Sequence, residues 1–286
     1  MTRISVPTHS RLAVSYTFHE AGDPQSGGVI VLHHGICHTR EHFLPLIAQL
    51  NQRGIHAAMI EQQSEQTGCF RNCIGPRQYR EGMATAVRAI QRDCERRGLG
   101  IGSYVLHSMG AMIGEEMQQE HPDLRRPTVL MAPIPVHGAW PATWRIMRDQ
   151  KGAYLRALLT ADIHCLARKP DQVRLLFFDA KTPEHIVESA TKQLKHAPIW
   201  MYFQLVLRPL VPWRRIVNDN LPERFLLYSE TDYLFQAEEF DRTRRLYRPL
   251  DESPLPGGHD FFIQYADDAA NRIADFVHQF GRGSGP

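Results

Sequence analysis

Three short segments carry side chains that could do nucleophilic chemistry. They are Leu106-His107-Ser108-Met109-Gly110, Tyr228-Ser229-Glu230-Thr231-Asp232 and Pro256-Gly257-Gly258-His259-Asp260. A serine at a sharp strand-to-helix turn keeps its hydroxyl exposed, and the helix N-terminus behind it favours negative charge. A hydroxyl, a carboxylate and an imidazole are the set from which an activated serine is built. Glu230 and Asp232 compete for the carboxylate's place, and Asp232 is favoured by its position relative to the preceding strand. Asp260 reads as a helix-start carboxylate. His107 reads as packing beside Ser108.

These segments need elements to position them, and the hydrophobic pattern supplies candidates. Residues 11–18 alternate in strand fashion, and 29–32 form a continuous apolar run bounded by glycines, as in a strand covered on both faces. Further strands are expected over 56–60, 103–106, 129–132 and 224–228. Helices are expected over 43–50, 77–97, with Met83, Val87, Ile90 and Cys94 on one face, and 108–119. The strand–helix alternation implies an α/β fold: a mostly parallel central sheet with helices on both faces and right-handed crossovers. From residue 138 the pattern turns purely helical, over 139–147, 154–166, 170–178, 183–194 and 197–207. A strand returns at 224, followed by helices over 236–245 and 260–280. The chain therefore divides into a core (1–137 and 221–286) and an inserted helical cap, or lid (138–220). The cap holds all four tryptophans, Trp140, Trp144, Trp200 and Trp213, with Phe177, Phe178, Tyr202 and Phe203. This aromatic set forms either the cap's own core or a wall of the substrate pocket.

Composition narrows the partners. With 33 Lys+Arg against 31 Asp+Glu the formal charge is +2, which gives no electrostatic reason to expect nucleic acid. No apolar run reaches the length of a membrane span. No apolar stretch of signal-peptide length opens the chain. The five cysteines (Cys37, Cys69, Cys73, Cys94 and Cys165) are odd in number and scattered, which favours reduced thiols and the cytoplasm. Cys69 and Cys73 lack a second ligand pair at zinc spacing. His33, His34 and His38 resemble a metal cluster on paper, but successive strand residues point to opposite faces. No metal or cofactor is expected, and a homodimer is left open. Cys37 reads as an inert buried thiol.

In the order Ser, acid, His, and over nearly its whole length, the chain resembles an α/β-hydrolase of the lysophospholipase or monoacylglycerol-lipase-like group. The residues that carry the resemblance are His34-Gly35-Ile36 after the 29–32 strand, His107-Ser108-Met109-Gly110 at the elbow, Asp232 and His259. Met131-Ala132-Pro133-Ile134-Pro135 before the helical cap is also similar to that group. The resemblance implies an α/β-hydrolase fold and a catalytic triad. Ser108 would be the nucleophile and His259 its base and then acid, with Asp232 holding the His259 tautomer. The backbone N–H groups of Ile36 and Met109 would form the oxyanion hole, where one lost donor costs on the order of 3 kcal/mol. His34, Trp140, Trp144, Trp200 and Phe203 would contact a small substrate with an apolar portion. An epoxide hydrolase or dehalogenase would carry Asp at position 108.

Two features depart from the group's pattern. Leu106 stands where the elbow motif has glycine, so either the neighbouring helix gives way or the serine is displaced. The run 61–68, Glu-Gln-Gln-Ser-Glu-Gln-Thr-Gly, replaces the familiar loop bracing the oxyanion side. The main expectation is a serine hydrolase cleaving an ester or thioester. The departures leave open a biosynthetic enzyme doing cyclisation, acyl transfer or lyase chemistry, or an inactive ligand-binding member.

Overall fold

A run such as Val29-Ile30-Val31-Leu32 has no polar face, so it must be covered on both sides. The structure, a computed structural model, describes residues 3–8, 12–24, 28–64, 74–207 and 221–281. Its strands are β1 (Arg3–Val6), β2 (Leu12–His19), β3 (Gly28–His33), β4 (His56–Ser64), β5 (Gly100–His107), β6 (Thr128–Met131), β7 (Arg224–Ser229) and β8 (Asp251–Leu255). They form one sheet in the order β1-β2-β4-β3-β5-β6-β7-β8. β1 with β2 and β2 with β4 are antiparallel, and the other neighbours are parallel.

Helices α1 (Leu44–Gln52), α2 (Pro76–Arg96) and α3 (Met109–Glu120) connect the first strands. Between β6 and β7 run α4 (Trp140–Asp149), α5 (Lys151–Thr160), α6 (Pro170–Phe177), α7 (Glu184–Gln193) and α8 (Ile199–Val206). After β7 come α9 (Asp241–Tyr247), α10 (Phe261–Gln264) and α11 (Ala266–Phe280). Strand alternation splits the apolar residues into two cores. Val29, Val31, Tyr104 and Leu106 face α2, α3 and the helices between β6 and β7, and the expected face of α2, Met83, Val87, Ile90 and Cys94, is buried there. Ile30, Leu32 and Val105 face α1, α10 and α11. No helix among the described residues is long and apolar enough to cross a membrane.

Several elements differ from the sequence expectation. β1 and β8 were not anticipated, because they are short edge strands and β8 (Asp-Glu-Ser-Pro-Leu) is polar and carries Pro254, a residue tolerated only at sheet edges. β4 runs on to Ser64 instead of stopping at residue 60, because the antiparallel partner β2 pairs with it from Leu12↔Ser64 to His19↔Ala57. Four residues of the supposed bracing loop, 61–64, therefore belong to the sheet, while 65–68 lie outside the described residues. So do Cys69, Cys73 and Trp213. The helix expected over 154–166 is α5 followed by a separate 3-10 turn, Ile163–Ala167.

Candidate active site

The elbow is built where β5 hands over to α3. Ser108 has φ 52° and ψ −118°, a left-handed backbone unusual for a residue with a side chain, and α3 begins at the next residue. The Ser108 N–H donates to Met131 O at 2.9 Å, which keeps the strained residue in line with β6. Two glycines make the turn possible. A Cβ on Gly35 would lie 2.9 Å from Ser108 Cβ, and one on Gly110 would lie 2.6–2.9 Å from His33 Nδ1 and the His33 and His34 carbonyl oxygens. The loop after β3, the strand end and the helix start thus close on one another only with glycine at these positions.

The structure also resolves the Leu106 departure. Leu106 is fully buried, and its Cδ1 fills the space that a Cβ on Gly114 would occupy, 2.3 Å away. The bulk missing from the second turn of α3 makes room for the bulk added at the end of β5. The helix carries the compensation, and the elbow keeps its turn.

Asp232 and His259 meet across two loops. His259 Nδ1 lies 2.7 Å from Asp232 Oδ2, and both side chains are buried. The other carboxylate oxygen, Oδ1, accepts from the N–H groups of Leu234 at 2.7 Å and Phe235 at 3.1 Å. Both lobes of the carboxylate are therefore oriented, and Nδ1 carries the donated proton, leaving Nε2 as the basic atom. Ser229 and Thr231 hydroxyls both donate to Gly257 O, tying the acid loop to the histidine loop. Burial pushes the His259 pKa down, but the charge and hydrogen bond of Asp232, then the charge of Asp260, outweigh it and leave the value raised. Glu230, the competing acid, is exposed.

Ser108 and His259 line a single cavity, with no hydrogen bond between them; such contacts often tighten only when substrate binds. Ile36, Cys37 and His38 border it from the loop after β3. The N–H groups of Ile36 and Met109 donate to no other described residue, so both remain available to an oxygen anion. The rest of the wall comes largely from the helices between β6 and β7: Ala142 and Ile146 of α4, Leu176 and Phe177 of α6, Tyr202 and Leu205 of α8. Among the described residues, no Asp, Glu, Lys or Arg lines it.

The residues expected to contact substrate lie elsewhere. His34 is held on both ring nitrogens, donating from Nδ1 to Gly35 O at 2.7 Å and accepting at Nε2 from the Gln62 N–H at 3.0 Å. It braces the loop after β3 against β4 and is not among the residues lining the cavity. Trp140, Trp144 and Trp200 are 54%, 60% and 49% exposed, so they form neither a cap core nor a pocket wall. The helix faces explain this: α4 turns Ala142, Thr143 and Ile146 inward and its tryptophans outward. Phe203 packs at the edge of the core without reaching the cavity. Sequence reasoning missed Gln62, which holds His34 and also contacts His33 Nε2 at 2.9 Å and Tyr79 O at 2.9 Å. Its alternating position in β4 became visible only with the β2 pairing.

Cys37 borders the cavity with φ 65°, and burial pushes its thiol up, far from a reactive thiolate. Two groups among the described residues have metal-ligand composition. His38, His107 and Asp260 are wholly buried, but His38 Nε2 and Asp260 Oδ2 stand at hydrogen-bond distance, 2.8 Å. Asp162, His164 and His196 share their carboxylate with Arg168 at 3.2 Å, a cation that opposes a second one.

Solved structures share this architecture across nearly the whole chain. A soluble variant of monoglyceride lipase from Saccharomyces cerevisiae aligns with a TM-score of 0.69 at 13% identity, covering 96% of this chain and 94% of its own. A thermophilic esterase from Thermogutta terrifontis aligns at 0.68 and 13% identity, covering 98% and 100%. A putative aryl esterase from Burkholderia cenocepacia aligns at 0.65 and 16% identity, covering 97% and 98%. At these identities the likeness speaks for the fold. No curated protein sequence is significantly similar to the chain. The model of the alpha/beta hydrolase family matches residues 30–274, a span that includes Ser108, Asp232 and His259, and the chain belongs to that family.

Proposed function

We propose that the chain is a serine hydrolase that cleaves an ester or thioester of a small, largely apolar substrate through an acyl-enzyme on Ser108. The observation that carries this reading is the His259–Asp232 hydrogen bond of 2.7 Å on the rim of the cavity that also holds the strained Ser108. In the proposed cycle His259 Nε2 takes the Ser108 proton as Oγ attacks the substrate carbonyl. The oxyanion that forms is met by the Ile36 and Met109 N–H groups. His259, stabilised as an imidazolium by Asp232, returns the proton to the leaving alcohol or thiol. Water then repeats the sequence on the acyl-enzyme.

The wall argues for the substrate class. A charged acyl group would lose its hydration against a surface on which the described residues place no counter-ion, so an uncharged, apolar acyl group fits better. The cavity measures about 70 Å³, roughly half of the ~150 Å³ apolar cavity that takes a benzene ring. That favours short acyl chains. The helices between β6 and β7 are read as the cap that selects them.

A fluorophosphonate probe tests the proposal. Labelling of the wild type at Ser108, found by peptide mapping and absent in Ser108→Ala, is the expected result. An unlabelled wild type beside a labelled control hydrolase overturns it.

A further inference from the structure

We propose that His38 and Asp260 form a second histidine–carboxylate pair, which clamps the oxyanion loop to the loop that carries His259. The proposal rests on the reading of Ser108 and His259 as the reacting pair, and it assigns both residues a positioning role.

The two side chains are 222 residues apart in sequence, yet His38 Nε2 lies 2.8 Å from Asp260 Oδ2, with each side chain 1% exposed. The other ring nitrogen, Nδ1, lies 2.8 Å from the Ile36 carbonyl oxygen. A carbonyl only accepts, so Nδ1 must carry a proton. Two lone pairs cannot face each other at 2.8 Å, so a second proton sits between Nε2 and Oδ2. Whichever of those atoms holds it, both bonds persist only while the pair is doubly protonated.

The groups around the pair leave Asp260 no other strong partner. His107 Nε2 is 3.6 Å from Asp260 Oδ1, beyond hydrogen-bond reach, and Oδ1 has no hydrogen-bond partner among the described residues. The rings of His42, His107 and Phe177 pack on His38 at 4.9, 5.2 and 5.1 Å. Burial, the largest cause for both, keeps His42 at about 4 and His107 well below its ordinary range, so neither brings a competing positive charge.

Asp260 stands at the N-cap position of α10, but its side chain makes no capping bond. Its backbone N–H donates to Phe177 O at 2.8 Å, and its chain neighbour His259 bonds Asp232. A continuous chain of contacts thus runs from Ile36 through His38, Asp260 and His259 to Asp232. It holds the Ile36 segment, one of whose N–H groups is read as an oxyanion donor, at a fixed distance from the base. Neither nitrogen of His38 is free for substrate, although its ring borders the cavity.

The test compares Asp260→Ala with Asp260→Asn, using a short-chain p-nitrophenyl ester and nitrogen-15 NMR of the histidine rings. Asp260→Ala should lower kcat about 10- to 100-fold with KM within about threefold, as expected when a transition-state donor is misplaced. Asp260→Asn should recover most of kcat, because its amide can donate to Nε2 of a neutral His38 while Nδ1–H stays on Ile36. In the wild type His38 should carry a proton on Nδ1 at neutral pH.

Equal losses in the two variants would show that Asp260 acts by its charge on His259, and would overturn the clamp. So would an Asp260→Ala variant as active as the wild type, or a His38 protonated only on Nε2. The NMR measurement needs neither turnover nor a folded alanine variant. A wild type that shows the Nδ1 proton but takes no fluorophosphonate would refute the hydrolase reading and leave the pair standing.

Discussion

The ends of the parallel strands and the helices between β6 and β7 face the same cavity but are built under different constraints. Ser108, Asp232 and His259 follow strands β5, β7 and β8; β5 and β7 have their register fixed by burial on both faces, and the polar edge strand β8 takes its register from pairing with β7. The helices opposite pack one face inward and leave Trp140, Trp144, Leu159 and Trp200 between 49% and 79% exposed. They are nonetheless fastened to three of the loops around the cavity. The Lys195 N–H donates to Cys37 O at 2.8 Å, the Asp260 N–H to Phe177 O at 2.8 Å, and Arg145 to Tyr233 O and Leu234 O at 2.9 and 2.6 Å. A Cβ on Gly258 would collide with Phe177 O at 2.6 Å, so this close approach needs glycine beside His259. Under the proposed function, this contrast would divide the labour into chemistry at the strand ends and selection by the helices.

Breaking the strand-end side should have the largest effect. Asp232→Asn keeps the shape of the side chain but can no longer stabilise the His259 imidazolium or hold its tautomer, and should cost on the order of 10⁴ in kcat. The pH profile gives an independent readout. Activity needs neutral His259, whose pKa is raised chiefly by Asp232 against the opposing burial. The rate should therefore rise with pH through a value above 6.5, and in Asp232→Asn that limb should move to lower pH. The sign for stability is opposite. A raised folded value means that the pair's contribution is complete below the unfolded pKa and is lost as pH climbs through the folded one. A profile whose acid limb stays in place in the variant would remove Asp232 from the site.

Narrowing the helical side should change which ester is preferred and leave the chemistry alone. Ala142 is buried on the inner face of α4 and borders the cavity. Ala142→Phe fills space that an acyl chain would use. Hydrophobic pockets discriminate by roughly 10- to 200-fold per methylene-sized change, so the kcat/KM ratio of hexanoate to acetate esters should fall by about 10-fold or more. Acetate turnover should stay within about threefold. A uniform loss on both esters would mean that the helices take part in positioning the reacting groups.

The same contrast accounts for what the sequence made legible. The strand ends could be read because Gly35, Gly110, Gly257 and Gly258 mark turns, and because Val29-Ile30-Val31-Leu32 can only be an interior strand. The loops that carry Ser108, Asp232 and His259 could therefore be located from local signals, and the run of helices between β6 and β7 from its change of period. What escaped depends on contacts between segments far apart in the chain. Nothing near Asp260 indicates that it reaches His38 instead of capping its own helix. Nothing in Glu61-Gln62-Gln63-Ser64 marks a strand until β2 is laid beside it. The outward tryptophans defeated the reading for another reason: aromatic content tells how much apolar surface a helix has, not which face meets the core.

Leu106 offers the smallest effect on turnover and the finest test of the comparison. From sequence it threatened the elbow; in the fold its bulk is taken up by Gly114 on the neighbouring helix. If that is the whole of its role, Leu106→Ala should leave kcat within about threefold while costing about 2–5 kcal/mol of stability, the range for emptying a buried leucine site. Gly114→Ala should do more damage, because its new methyl would lie 2.3 Å from Leu106 Cδ1. In the double variant Leu106→Ala with Gly114→Ala the clash is relieved, and stability should return toward that of Leu106→Ala alone. Thermal unfolding of the four proteins closes the cycle. Additive losses would show that the two positions do not compensate, and that Leu106 must reach the elbow by another route.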